Sequence, residues 1–241
     1  MNTELKTLRE EFERIRMSED NKTVLVFCSR LSQSDFIDYH FSLLKEHEVS
    51  DKLYQMLRNK FSNHGFKGEK LLIKKIEKEK DKTFQGDILQ ILGRYKYANG
   101  SFLKETAQYA REFLKSENDS LRFRAIIVLG WVGKMSDIKL LADSMFNDDN
   151  NQNRGWGASA IMQLFFSCPK IKDKALKYLQ QALEKEEDYF TLACILTSIQ
   201  EIANKKWGIS SSTKPDDESK EKINTAKSKA VKFLQKYFKL I

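Results

Sequence analysis

The residues of this chain whose spacing most resembles a chemical motif are Gly130, Gly133 and Lys134, in the stretch "LRFRAIIVLGWVGK" from Leu121 to Lys134. An apolar run entering a glycine turn with a lysine behind it has the outline of a phosphate-binding loop. Such a loop needs four residues between its first glycine and the Gly-Lys-Ser/Thr, so that successive backbone N–H groups wrap the phosphates. Only Trp131 and Val132 separate the two glycines here, and Met135 stands where a hydroxyl would hold magnesium. The stretch fails as a nucleotide loop on length and on ligand.

The other reactive residue types are equally unpromising. Cys28, Cys168 and Cys194 are far apart and each lies in an apolar neighbourhood, which suits small core residues in a reducing compartment. His40, His47 and His64 lack metal-ligand spacing; His40 and His47, seven apart, share a helix face but have no third ligand. Neither GxSxG nor HExxH occurs. Asp148-Asp149 and Glu186-Glu187-Asp188 have the character of loop acids and helix N-caps. The expectation is a protein that is not an enzyme, with no catalytic residue, no cofactor, no metal and no small-molecule substrate.

The elements that carry these residues follow from a repeat. Leu121, Ala125, Ile126 and Leu129 have the spacing of one helix face. Thirty-five residues on stand Trp156, Ala160, Ile161 and Leu164, and a further thirty-five on stand Thr191, Ile195, Leu196 and Ile199. Earlier copies are Phe84, Ile88, Leu89 and Leu92, and before them Val49, Leu53, Tyr54 and Leu57. Each copy is followed by a second amphipathic segment, such as "DIKLLADSMF" or "DKALKYLQQALEK", so each unit is a helical hairpin. With only two prolines and ten glycines to interrupt it, the chain reads as all-α.

Stacked hairpins cannot each bury their own apolar face, so the core must run along the stack. The predicted fold is a right-handed α-solenoid of about five or six hairpins forming one domain over residues 1–241. Within it, residues 1–47 form irregular N-terminal capping hairpins and 48–207 the regular repeats. Residues 208–222, rich in Ser, Thr and charge, are expected to be a mobile loop, with 223–241 a capping helix that Pro215 helps to open.

The hairpin "DSLRFRAIIVLGWVGKMSDIKLLADSMFNDD" resembles the HEAT and HEAT-like repeat pattern, through Leu121-Arg122, Ala125, Leu129-Gly130, Val132-Gly133 and Asp137. "GDILQILGRYK" repeats the Leu-Gly element at Leu92-Gly93, while Gly157 and Leu192 stand where Arg122 does. The repeat explains the two glycines without a nucleotide: Gly130 for close approach of a neighbouring helix, Gly133 for the left-handed position that ends one.

A stack of hairpins offers a long curved surface, so the expected function is a scaffold that binds a macromolecule on a concave face lined by second helices, another protein above all, in the style of a bacterial immunity or regulatory protein. Its alternative is a DNA-binding solenoid of the alkylpurine DNA glycosylase type. Trp131, Asp137, Arg154 and Trp156 are residue types that such an enzyme uses, but they do not align with its Trp-Asp signature. Trp156 shares a column with Phe84 and Leu121 and is expected to fill core space. Trp131 falls in a variable column with Arg94, Phe166 and Glu201. Arg94, Trp131 and Arg154 are therefore the candidate partner-binding residues.

The net charge of +8 and a pI of about 9.2 favour anionic partners, nucleic acid among them. The lysines concentrate in "KGEKLLIKKIEKEKDK" and "SKEKINTAKSKAVKFLQKYFK", where they share helices with apolar stripes and read as solvated faces. The charged N-terminus is no signal peptide, and no apolar run reaches the roughly 20 residues of a membrane helix. The expected location is cytoplasmic.

Overall fold

The computed structural model describes residues 3–210 and 217–240, with the side chains of residues 217 and 218 excepted. All regular structure among them is helical, and the fold is that of an all-α helical-repeat solenoid. The chain divides into two compact units, residues 1–106 and 107–241, a division the sequence period does not mark.

In the first unit α1 (Thr3–Ile15) precedes the hairpins α2 (Asn21–Gln33) with α3 (Ile37–Leu43) and α4 (Asp51–Lys60) with α5 (Gly65–Ile76). Helix α6 (Lys82–Arg94) follows, and α7 (Leu103–Phe113) runs through the division. The second unit continues with α8 (Asp119–Val132), α9 (Ile138–Asn147), α10 (Asn151–Ser167), α11 (Lys172–Lys185), α12 (Tyr189–Ala203) and α13 (Asp217–Lys239). There α10 packs between α8 and α12, and α11 packs against α9 and α13, giving two layers.

The predicted column lies where the period puts it. All of its residues are buried except Val49, Tyr54 and Trp156, which are half-buried. Thr191, the one polar member, is fully buried because its hydroxyl donates to the Asn151 carbonyl oxygen at 2.8 Å. Burying that hydroxyl unpaired would cost on the order of 1–3 kcal/mol. The first helix of every hairpin is started by a short polar side chain: Asp20, Ser50, Asp81, Asn118, Asn150 and Asp188 each accept from a backbone N–H in the first turn. Each such cap stabilises its helix by about 1 kcal/mol.

Gly130 behaves as expected, since a Cβ there would lie 2.9 Å from both Cα and Cβ of Ala160 on α10. Two effects oppose each other in Gly130→Ala. Helix propensity favours alanine by about 1 kcal/mol, whereas overpacking against a backbone costs about 1–3 kcal/mol. The expected outcome is a net loss, read as a lower urea midpoint; a raised midpoint would show that α8 and α10 are not in close contact.

Gly133 corrects the left-handed assignment. Its backbone is extended, with φ −67° and ψ 166°. What excludes a side chain is crowding, because a Cβ would meet the Leu129 carbonyl oxygen at 2.3 Å. Residues 217–222, expected in the loop, are helical. Once the buried face of Ile223, Ala226, Ala230 and Leu234 holds α13 in place, each further polar residue adds a hydrogen bond at little cost. Residues 211–216, Pro215 included, lie outside the described residues.

Candidate partner-binding surface

Arg154 enters α10 one turn from its start, and its guanidinium is held bidentately by Glu186, with Nε–Oε2 2.8 Å and Nη2–Oε1 3.1 Å. Arg122 occupies the corresponding turn of α8 and grips Asp148 in the same way, at 2.8 and 2.9 Å. Each acid stands at the C-terminal cap of the second helix of the same hairpin. Burial raises both carboxyls, but the paired guanidinium and the backbone N–H groups of the following turn together hold them below the usual carboxylate range. Asp148 and Glu186 are thus clamps closing each hairpin, where the sequence suggests plain loop acids. Arg154 has its donors committed to this clamp and has no free fork to offer a partner.

Asp137 is spoken for as well. It is 3% exposed and receives Arg111 bidentately at 2.8 and 2.9 Å, with the Lys134 N–H at 2.7 Å. A carboxylate held this way is not placed to activate water on a DNA base. Trp156 is half-buried, its ring meeting Phe123 edge-on at 5.5 Å, so it fills part of the space between α8 and α10.

Trp131 differs from both. It lies near the end of α8, half-exposed, and its indole N–H has no hydrogen-bond partner among the described residues. At the corresponding position of α10, Phe166 is 54% exposed. An aromatic ring with an apolar body and an unused donor at the surface is the side chain most enriched at protein interfaces.

In the first unit Arg94, at the end of α6, is half-buried and makes no ion pair or hydrogen bond among the described residues. Burial, and then the charge of nearby Arg58, holds its pKa below the ordinary guanidinium value. Arg58 itself is 5% exposed and is answered by Asp87, at 2.9 Å, and by Gln90. Asp87 also accepts from the Tyr54 hydroxyl. Beside this cluster lies a cleft of about 420 Å³ lined by Leu44, Lys45, Tyr54, Glu79, Phe84 and Asp87, among others. Lys45 closes on it, 2.6 Å from Glu79 and 5.0 Å above the Phe84 ring.

The histidines pair in a way that spacing does not suggest. His40 joins not His47, which is exposed, but His64, with Nδ1···Nε2 at 2.8 Å. The second His40 nitrogen faces the Leu57 carbonyl at 3.1 Å and must donate to it, leaving Nδ1 to accept from His64. Burial pushes the thiols of Cys28 and Cys194 up to about 12 and about 11, consistent with core residues. Among the described residues no group of His, Cys, Asp and Glu is placed to hold a metal ion, and no helix is long and apolar enough to cross a membrane.

Residues 69–162, from within α5 to within α10, match the family model for HEAT repeats. No curated protein and no solved structure gives a significant match to the chain.

Proposed function

Because this chain is a HEAT-like repeat protein, a class that generally mediates protein interactions, we propose that it acts by binding another protein and carries out no chemistry of its own. The reading extends to an immunity or regulatory protein working in the cytoplasm that occludes one target. The observation that carries it is Trp131, an amphipathic ring held half-exposed with its N–H unused. Arg94 supports it in the other unit, as a half-buried cation without an acid, a group that an acidic side chain of a partner would satisfy.

Aromatic residues at the centre of an interface typically cost about 2 kcal/mol or more on truncation, close to thirtyfold in affinity. The test is capture from the native lysate with the wild type and with Trp131→Ala, followed by mass spectrometry. A single stoichiometric partner retained by the wild type and lost by the variant is expected, with circular dichroism unchanged. Equal capture by both proteins, or release of a methylated purine from DNA, would sink the proposal.

A further inference from the structure

Several cations of this chain are paired with acids, whereas from Lys222 to the end of α13 the charge is all of one sign. Arg16, Arg30, Lys45, Lys52, Arg58, Lys67, Arg111, Arg122 and Arg154 each have a carboxylate within ion-pair distance. From Lys222 onward the sequence holds six lysines and no acid, which is +6 of the total +8. Lys222, Lys229, Lys232, Lys236 and Lys239 are all exposed. Among the described residues, Lys229, Lys232, Lys236 and Lys239 have no ion pair.

The helix arranges them in a line. At 100° per residue these five lysines fall within about a quarter to a third of the circumference, along about 25 Å of axis. The opposite face, Ile223, Ala226, Ala230 and Leu234, is fully buried. Packing against α11 and α12 therefore fixes which way the stripe points. Near its end Lys232, Lys236 and Lys239 line a recess of about 420 Å³ with Gln235 and Leu240.

We infer that the lysine stripe of α13 is a binding surface for the phosphate backbone of a duplex nucleic acid, read by charge and not by sequence. Ammonium groups at steps of roughly 4.5 to 10 Å over about 25 Å can meet alternate phosphates of one strand, which follow at about 3.4 Å along the axis. Lysine is a point charge without the planar fork that reads base edges, so the contacts position but do not specify. The stripe itself contains no aromatic residue on which unpaired bases would stack, which favours duplex over single strand. Insertion into a lipid surface needs an apolar face, and the apolar face of α13 is already buried in the protein.

This surface goes beyond the protein-binding reading and does not use Trp131 or Arg94, so the two fail separately. The test is fluorescence anisotropy of the full chain with a labelled duplex of about 20 base pairs at several salt concentrations. Log affinity of the wild type should fall linearly with log salt. The variant K229Q/K232Q/K236Q/K239Q should lower that slope by about 3.6, at about 0.9 per lost phosphate contact, and weaken binding at least tenfold at low salt.

A charge-matched control, K74Q/K78Q/K80Q/K104Q, alters lysines that are exposed elsewhere and should leave the slope within about one of wild type. Lys→Arg at the four α13 positions should retain binding. The inference is overturned if the wild type does not bind duplex at low salt or if the control loses as much as the α13 variant. Preference for phosphatidylserine vesicles or polyglutamate over duplex at equal charge would also overturn it.

Discussion

Replacing Asp87 with alanine is expected to destabilise the first unit by roughly 3–5 kcal/mol, the typical cost of stranding a buried charge. Arg58 would be left with Gln90 alone while only 5% exposed, and the Tyr54 hydroxyl would lose its acceptor. That loss is a large share of the 5–15 kcal/mol that holds an ordinary domain together. The cost measures the orphaned guanidinium and not the worth of the pair. Removing both ends at once, as Arg58→Met with Asp87→Leu, should therefore recover most of it. Urea denaturation of the wild type, Asp87→Ala and the double variant gives both numbers. A single-variant loss under about 1 kcal/mol would mean that water reaches the Arg58 guanidinium.

Mild acid should produce the second large effect, through the buried histidine pair. Burial, and then the neighbouring ring, depresses His40 to about 3; burial depresses His64 to about 4, against opposing contributions from the Ser34 backbone and Asp35. Both folded values lie below the unfolded value of about 6.5, so the unfolded chain binds more protons as pH falls. The stability the pair contributes is complete above pH 6.5 and is lost on the way down toward pH 4 and 3. At pH 5 the loss from His40 is about 2 kcal/mol, with a smaller share from the less buried His64.

The window distinguishes this effect from ordinary acid unfolding. The clamped carboxyls Asp137, Asp148 and Glu186 are held below their usual values and do not titrate between pH 6.5 and 5. Unfolding free energies from urea titrations between pH 7.5 and 5 should thus fall with a slope that reaches between about 1.4 and 2.7 kcal/mol per pH unit, reflecting one to two protons. His64→Leu should roughly halve it. A flat profile in the wild type would show that the rings are not buried as a neutral pair.

The fold could be read from the sequence because apolar burial repeats at fixed spacing and dominates the free energy of each hairpin. Even Thr191 sits in its column, since a hydroxyl can be buried where a carbonyl is waiting. The pairings of polar groups were less legible. Arg58 with Asp87, His40 with His64, and Glu69 with the Ser101 and Phe102 N–H groups all join different segments of a hairpin stack. No local motif announces them.

A signal was nonetheless present in several. Tyr54–Asp87, Arg58–Gln90 and Glu69–Ser101 are separated by 33, 32 and 32 residues, close to one period. Polar residues one repeat apart are candidates for contact for the same reason that apolar ones are. Arg154 differs in that its acid closes the same hairpin: as an isolated arginine it looks available to a partner, and paired with Glu186 it is a structural clamp. Trp131 has no such partner to absorb it.

The clamps of the second unit bear on how a chain of this kind changes length. In the hairpin from Asn151 to Lys185 the N-cap Asn150, the Arg154 guanidinium and its acid Glu186 all lie within or at the edges of one repeat. Hydrogen bonds in which at most one group is charged, such as Thr191 to the Asn151 carbonyl and Asn151 to Asp188, link it to its neighbour. A gene segment copied or deleted at that boundary would carry its own electrostatic closure with it, stranding no buried charge.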